Sequence, residues 1–259
     1  MSARKNADDT KGITGVTADF LHKWQLFLIV SAGKCRNTKK EGLFMKKRIF
    51  YLGLGFLVAF ALWTAAISLV DVQPIGPEEA SVGFAGLNGF FHRLTGVHME
   101  LYHITDWLGL VPVAVGFGFA VLGFAQWIKR KNLLRVDRSL LVLGGFYIVT
   151  LAAYLFFESY VVNYRPVLIE GYLEASYPSS TTLLVLCVMP TAALQLQQRI
   201  KHPVFRSCVS YAIAGFTVFM VAGRLLSGVH WLTDIIGGIL LSAGLVITYH
   251  SLIGGKIHG

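Results

Sequence analysis

Six long apolar runs limit what this chain can fold into more than any other feature of its sequence. Each is about long enough to cross some 30 Å of hydrocarbon as a helix, and the only charged residue within them is one aspartate in the last run. None alternates polar and apolar residues as the strands of a membrane barrel do. The runs are residues 49–70, 107–128, 139–157, 181–198, 207–223 and 230–253. They predict an all-α integral membrane protein, a six-transmembrane-helix bundle.

Composition supports this prediction and excludes other classes. Of the 259 residues, 54% are hydrophobic and only 14% are charged, against about 25% charged in an average soluble domain. The net charge of +9 would suggest a nucleic-acid partner in a soluble protein, but here the basic residues flank apolar runs. We therefore expect the lipid bilayer as a partner and no nucleic acid. The cysteines, Cys35, Cys187 and Cys208, have neither paired nor metal-ligand spacing and are interpreted as packing residues.

The charges alternate along the connections between the runs. Basic residues precede the first run and fill the second and fourth connections, whereas the other three connections are mainly acidic or sparsely charged. The positive-inside rule then predicts that both termini are cytoplasmic and that the acidic connections face outward across the cell membrane. The basic residues are Lys46, Lys47, Arg48, Lys129, Arg130, Lys131, Arg135, Arg138, Arg199, Lys201 and Arg206.

Residues 1–44 differ in character from the membrane domain that we assign to residues 45–259. They are polar and basic, and we expect them to form a poorly ordered extension. Met45 followed by three basic residues resembles a natural start, so the extension is either absent from the native protein or a dispensable tail. The first apolar run is longer than the apolar region of a signal peptide and has no A-x-A cleavage site after it, which favours an anchor.

The first connection, about residues 71–106, is too long for a simple turn. Its apolar residues recur at helical spacing, which predicts an amphipathic helix lying in the outer interface; a packed surface loop is the alternative. These residues are Phe84, Leu87, Phe90, Phe91 and Leu94.

Three polar clusters lie at predicted helix ends on the outer side, where we expect them to converge. Polar residues at membrane depth are costly and are functional candidates by default. The first cluster contains Glu158 and the segment Asn163-Tyr164-Arg165-Pro166, the second is Tyr177-Pro178-Ser179-Ser180-Thr181-Thr182, and the third contains Gly223-Arg224, Ser227-Gly228-Val229-His230 and Asp234.

Each cluster has a chemical interpretation and a plainer one. Ser179 and Ser180 at a helix start would offer hydroxyls and backbone N–H groups to an anion, or form an ordinary N-cap. The arginines have planar donors suited to phosphate, or serve as interface anchors. His230 and Asp234 are four residues apart, so on a helix the carboxylate would hold one ring nitrogen and leave the other as a nucleophile or base; a capping contact is the alternative.

Taken together, the clusters resemble the type-2 phosphatidic acid phosphatase (PAP2) superfamily. That family has the motifs K-x6-R-P, P-S-G-H and S-R-x5-H-x3-D in this order. Arg165-Pro166 matches the end of the first motif, Pro178-Ser179 the start of the second, and Arg224, His230 and Asp234 have the spacing of the third. The resemblance extends over roughly residues 49–253.

The resemblance implies a six-helix membrane phosphatase that needs no cofactor or metal. Arg165, Ser179, Ser180 and Arg224 would bind the phosphate, His230 would attack phosphorus to form a phosphohistidine, and Asp234 would orient His230. Three positions depart from the motifs: Glu158 replaces the lysine, Ser180-Thr181 replaces Gly-His, and Gly223 replaces the serine. The missing histidine is the family's proton donor, which threonine replaces poorly, so Glu158 and Thr181 are expected to modulate the site.

The loss of the proton donor bears on the substrate. A phosphate leaving group, as in a polyprenyl pyrophosphate, is far less basic than the alcohol of phosphatidate and needs less help to depart. His92, His98 or His103 in the first connection could also serve as the acid.

We therefore predict a membrane phosphatase that acts on a lipid phosphate or polyprenyl pyrophosphate at the outer face. The alternative is a catalytically impaired protein that binds phosphorylated lipid or acts as a scaffold. A small transporter is the third interpretation, but no internal repeat supports it.

Overall fold

The computed structural model describes residues 39–253, with side chains from residue 44 onward, and within that range the regular secondary structure is helical apart from isolated β-bridges. Residues 1–38, most of the expected polar extension, lie outside the described residues, and the first described helix begins at Lys39. The α-helices are α1 (Lys39–Leu69), α2 (Ala85–Thr95), α3 (Met99–Leu108), α4 (Leu110–Arg130), α5 (Arg138–Ser159), α6 (Ser180–Arg199), α7 (Pro203–Leu226) and α8 (Leu232–Ile253).

The prediction of six membrane spans is confirmed. Each predicted run coincides with a helix that is long and apolar enough to cross a membrane, and the protein is a multi-pass membrane protein. The second span is longer than predicted, because α3 continues into α4 as one stretch over Met99–Arg130.

The first connection contains a helix where the apolar spacing predicts one. Phe91 on α2 is buried, whereas Leu87 and Phe90 are exposed, so the apolar residues occupy more than one face. Asn88 fixes α2 to the start of α8: its side-chain amide donates to the hydroxyl of Thr233 at 2.9 Å, and its carbonyl oxygen accepts from the Thr233 N–H at 3.2 Å. The position of α2 in the membrane interface stays a prediction.

Two close approaches position the segments around the polar clusters. The ring of Tyr177 lies so close to α8 that a Cβ at Gly237 would be 2.4 Å from it, and the Tyr177 hydroxyl is 2.7 Å from the Thr64 hydroxyl of α1. Between α7 and α8, Gly228 has a φ of +70°, and a Cβ there would be 2.0 Å from the carbonyl oxygen of Gly96. The turn that precedes His230 therefore requires glycine.

Candidate active site

One end of the bundle brings the three polar clusters together. The end of α5, the start of α6, the end of α7 and the start of α8 meet there, opposite the end that carries the basic connections. Between them lies a cavity of about 530 Å³. Each cluster contributes to its lining: Glu158 and Arg165 from the first, Ser180 from the second and His230 from the third. The convergence expected from span alternation is therefore present.

His230 lies in the short link between α7 and α8 and is only 4% exposed. Its Nδ1 is 2.9 Å from the hydroxyl oxygen of Ser176, and Arg224 Nη2 donates to its Nε2 at 3.3 Å. Burial lowers the pKa of His230 well below its usual value, and the positive charges of Arg165 and Arg224 lower that pKa further. The ring is therefore held neutral, the form in which Nε2 has a lone pair available for attack.

Asp234 lies close to His230, but the expected geometry is wrong in two respects. His230 precedes α8, which begins at Leu232, so the two residues do not share a helix face. Asp234 Oδ2 is also 4.0 Å from His230 Nδ1, too far for a hydrogen bond. The physical reason is that Asp234, the third residue of α8, caps its own helix. Its Oδ2 accepts the N–H of Trp231, the residue before the helix, at 2.9 Å, as in a capping box.

The hydroxyl of Ser176 fills the gap between the two side chains. It donates to Asp234 Oδ2 at 2.5 Å and lies 2.9 Å from His230 Nδ1. Asn163 completes the surroundings of the carboxylate, donating to Oδ1 at 3.2 Å. The four residues that hydrogen-bond to the imidazole or the carboxylate are all buried: Ser176, Asn163, Trp231 and Arg224.

Arg165 and Arg224 both lie near His230, and nearby carboxylates neutralise their charges only in part. Arg224 Nη1 is 3.6 Å from Asp106 Oδ1, and Arg165 Nε is 3.0 Å from Glu174 Oε2. The ring of Tyr102 contacts both guanidinium groups, at 4.9 Å from the Arg224 carbon and 5.8 Å from the Arg165 carbon. Cation–π attraction to one ring helps to hold two like charges side by side.

Several buried polar atoms near His230 have no hydrogen-bond partner in the part of the chain that the structure describes. They are Nε and Nη1 of Arg165, Nε and Nη1 of Arg224, and Oγ of Ser179. Arg165 Nε and Arg224 Nη1 are within ion-pair distance of Glu174 and Asp106, but neither forms a hydrogen bond with that carboxylate. Buried donors without partners are costly, and guanidinium groups with spare N–H donors fit phosphate oxygens. The arrangement therefore suits an oxyanion ligand beside a neutral imidazole.

The remaining predicted residues are placed differently from one another. Ser180 and Glu158 line the cavity together with Arg165 and His230. Ser179, Thr181, Arg224 and Asp234 are buried and are not among the residues that line it. The carboxylates that pair with the arginines are Glu174 and Asp106, not Glu158.

The three histidines of the first connection do not line the cavity either. His92 packs against the Trp231 ring, with centroids 5.4 Å apart, His98 bonds to the carbonyl oxygen of Thr95, and His103 lies against Tyr102. Over residues 39–253, no group of three or more His, Cys, Asp or Glu side chains is arranged to hold a metal ion.

Sequence reasoning missed the roles of Ser176, Tyr102, Asp106 and Glu174. Ser176, Tyr102 and Asp106 contact residues that are 54 or more positions away in the chain, so no local spacing connects them. Glu174 is nine residues from Arg165, in a connection without helical periodicity. Only Ser176 had a signal, because it stands two residues before the proline of the second motif.

Comparison with protein-family models matches residues 142–257 to the PAP2 superfamily, which confirms the resemblance drawn from the motifs. Comparison with curated proteins found no match. Among solved structures, a transmembrane PAP2-type phosphatidylglycerolphosphate phosphatase from Bacillus subtilis is similar with a TM-score of 0.43 and 19% sequence identity, over 78% of this chain and 94% of that chain. The matched family segment contains Arg165, Arg224, His230 and Asp234.

Proposed function

We propose that this chain, in which residues 142–257 match the PAP2 superfamily model, hydrolyses a lipid phosphate or a polyprenyl pyrophosphate through a phosphohistidine intermediate. One observation carries the proposal: a buried, neutral histidine lies within hydrogen-bond distance of Arg224, whose Nε and Nη1 have no hydrogen-bond partner among the described residues. A phosphate group supplies the oxygens that these donors lack and places phosphorus beside the imidazole nitrogen.

The residues then divide the reaction between them. Arg165 and Arg224, with the hydroxyls of Ser179 and Ser180, bind the phosphate oxygens and stabilise the charge that develops on them. Nε2 of His230 attacks phosphorus, the bond to the leaving oxygen breaks, and that oxygen keeps the electron pair. Water then attacks the phosphohistidine, the N–P bond breaks, and inorganic phosphate and the neutral imidazole are released.

The leaving group sets the preferred substrate. Thr181 replaces the family's proton donor and does not line the cavity, so the departing oxygen receives its proton from solvent. A phosphate leaving group is far less basic than an alcohol and tolerates this loss better. We therefore expect a polyprenyl pyrophosphate to be hydrolysed faster than phosphatidate.

The charge pattern supports an outward-facing site. The basic connections lie at the opposite end of the bundle from His230, and basic connections are retained in the cytoplasm. We propose that both termini are cytoplasmic and that the cavity opens to the outer leaflet of the cell membrane.

Phosphate release from detergent-purified protein tests the proposal. The protein is assayed with chelator on phosphatidate and on undecaprenyl pyrophosphate, alongside His230→Ala and His250→Ala. His250 is a matched control, because it is a buried histidine of α8 at the far end of the helix. We expect release to disappear in His230→Ala and to persist in His250→Ala.

The second candidate function is binding of phosphorylated lipid without turnover, which the position of Thr181 favours. Folded wild-type protein that releases no phosphate from either lipid, yet binds liposomes containing it in an Arg224-dependent way, would establish that function and overturn the phosphatase.

A further inference from the structure

The hydroxyl of Ser176 hydrogen-bonds to the side chains of both the candidate nucleophile and Asp234. It is 2.9 Å from His230 Nδ1 and 2.5 Å from Asp234 Oδ2, while the two ionisable side chains are 4.0 Å apart. Resting on the phosphatase reaction proposed above, we propose that Ser176 is a positioning residue. Asp234 holds its hydroxyl, and the hydroxyl fixes the tautomer and orientation of the His230 ring.

The direction of the hydrogen bonds follows from what each group can do. A carboxylate only accepts, so the Ser176 O–H donates to Asp234 Oδ2. The lone pairs of the hydroxyl oxygen then accept from Nδ1 of His230, which must have the ring proton. With the proton on Nδ1, the lone pair is on Nε2, the nitrogen beside Arg224.

The surroundings prevent a direct contact from replacing this relay. Asp234 is held by the Trp231 N–H and the Asn163 amide as well as by Ser176, so its carboxylate cannot approach the ring without losing these bonds. Ser176 is fixed as well: its own N–H donates to the Asn163 carbonyl at 2.9 Å, and the residue is 2% exposed. Partners that orient a metal-bound histidine in this way matter nearly as much as the histidine, and we expect the same of a histidine that acts as a nucleophile.

In the covalent step Ser176 transfers no proton. Nε2 forms its bond to phosphorus, the bond to the leaving oxygen breaks, and the ring becomes a cation that keeps its proton on Nδ1. The Ser176 hydroxyl, polarised by Asp234, accepts the hydrogen bond from this N–H and stabilises the cation. When water breaks the N–P bond, the ring returns to the neutral tautomer from which it started.

Two readouts test the assignment in reconstituted full-length protein. The first is the ¹⁵N spectrum of the His230 ring, assigned by its absence in His230→Ala. The second is kcat and KM on the lipid that the wild type hydrolyses. The variants are Ser176→Ala, Ser176→Thr, which retains a hydroxyl, and Ser242→Ala, a control that removes the hydroxyl of a fully buried serine bonded only to backbone carbonyls within α8.

We expect the wild type, Ser176→Thr and Ser242→Ala to have the proton on Nδ1, and Ser176→Ala to have a mixture of both tautomers. We also expect kcat of Ser176→Ala to fall about 10–100-fold with KM nearly unchanged. An unchanged tautomer in folded Ser176→Ala would overturn the proposal.

If that variant unfolds, Ser176→Cys is measured instead, because a thiol fills the space but bonds weakly, and a spectrum equal to the wild type would again overturn it. The failure of the phosphatase proposal would appear separately, as a wild type without phosphate release, while the spectrum still reports the role of Ser176.

Discussion

The first three spans and the last three spans of this protein meet different surroundings. In the apolar part of the first three, between 6% and 22% of the residues are buried inside the protein, against 50% to 78% in the last three. The first three expose large apolar side chains such as Leu62, Phe117 and Leu151, whereas the last three bury Thr191, Thr217 and Ser242, each of which donates to the carbonyl four residues earlier.

The difference shows which spans of a multi-pass membrane protein can supply polar residues to a functional site. A span that faces lipid must be apolar all round, because an unpaired polar group in hydrocarbon is costly. A span inside the bundle can contain polar side chains, since its neighbours satisfy them. The less apolar spans are therefore the ones whose ends contain Ser179, Arg224 and Asp234.

The largest effect is expected at the ends of the buried spans that surround His230. Arg224→Gln should lower kcat/KM by about 100–1,000-fold, the usual cost of removing one donor to developing charge, whereas Arg130→Gln at the opposite end should change it only a few-fold, because Arg130 forms an exposed pair with Asp137. Steady-state assays on both variants, with thermal unfolding as a check on folding, decide the matter. Equal losses would mean that the two ends are not functionally distinct.

Matched glycine substitutions compare the packing of the first three spans with the packing of the last three spans. Gly237→Ala in α8 places a Cβ 2.4 Å from the Tyr177 ring, whereas nothing lies within 4 Å of a Cβ at Gly118 in α4. We expect Gly237→Ala to lose about 1–3 kcal/mol of stability from overpacking and Gly118→Ala to gain up to about 1 kcal/mol, because alanine is the better helix former. Thermal unfolding in detergent measures both. A loss of similar size at Gly118 would contradict the lipid-facing assignment of α4.

The ionisation of His230 gives the next prediction. Burial and two arginines lower the pKa of His230, so its ring should remain neutral at pH 6.5, where an ordinary histidine is about half protonated. Because the unfolded chain then binds a proton that the folded chain does not, this residue should reduce stability as the pH falls below about 6.5. Titration of the His230 ring signals by NMR tests this, and half protonation at pH 6.5 would show that the imidazole is solvated.

The six spans, their connections and the convergence of the polar clusters were all predictable, because apolar length and charge alternation are local properties of a sequence. The spacing of Arg224, His230 and Asp234 also located the centre of the site. The direct contact between His230 and Asp234 was predicted wrongly, because the start of α8 at Leu232 depends on the capping contact of Asp234 with Trp231. Spacing alone does not reveal such a contact.

The surroundings of the site could not be predicted in the same way. Ser176 bonds to residues 54 and 58 positions away, and Asp106 meets an arginine on another helix. Such pairs leave no periodic pattern in a single sequence. The assignment of catalytic and binding roles to the converged residues stays a prediction.

The smallest expected effect concerns Glu174, the carboxylate that pairs with Arg165 in the lining of the cavity. Glu174 pairs with Arg165 at 3.0 Å and its side chain is 41% exposed, so an incoming phosphate competes with it for the guanidinium. Glu174→Gln removes the competing charge and should lower KM about 2–5-fold at unchanged kcat, since a partly exposed pair is worth at most about 1 kcal/mol. Glu170→Gln, an exposed carboxylate of the same connection that does not line the cavity, should leave KM unchanged. A higher KM in Glu174→Gln would mean instead that Glu174 holds Arg165 in place for the phosphate, and the end that contains His230 would then depend on an acidic residue as well as on its two arginines.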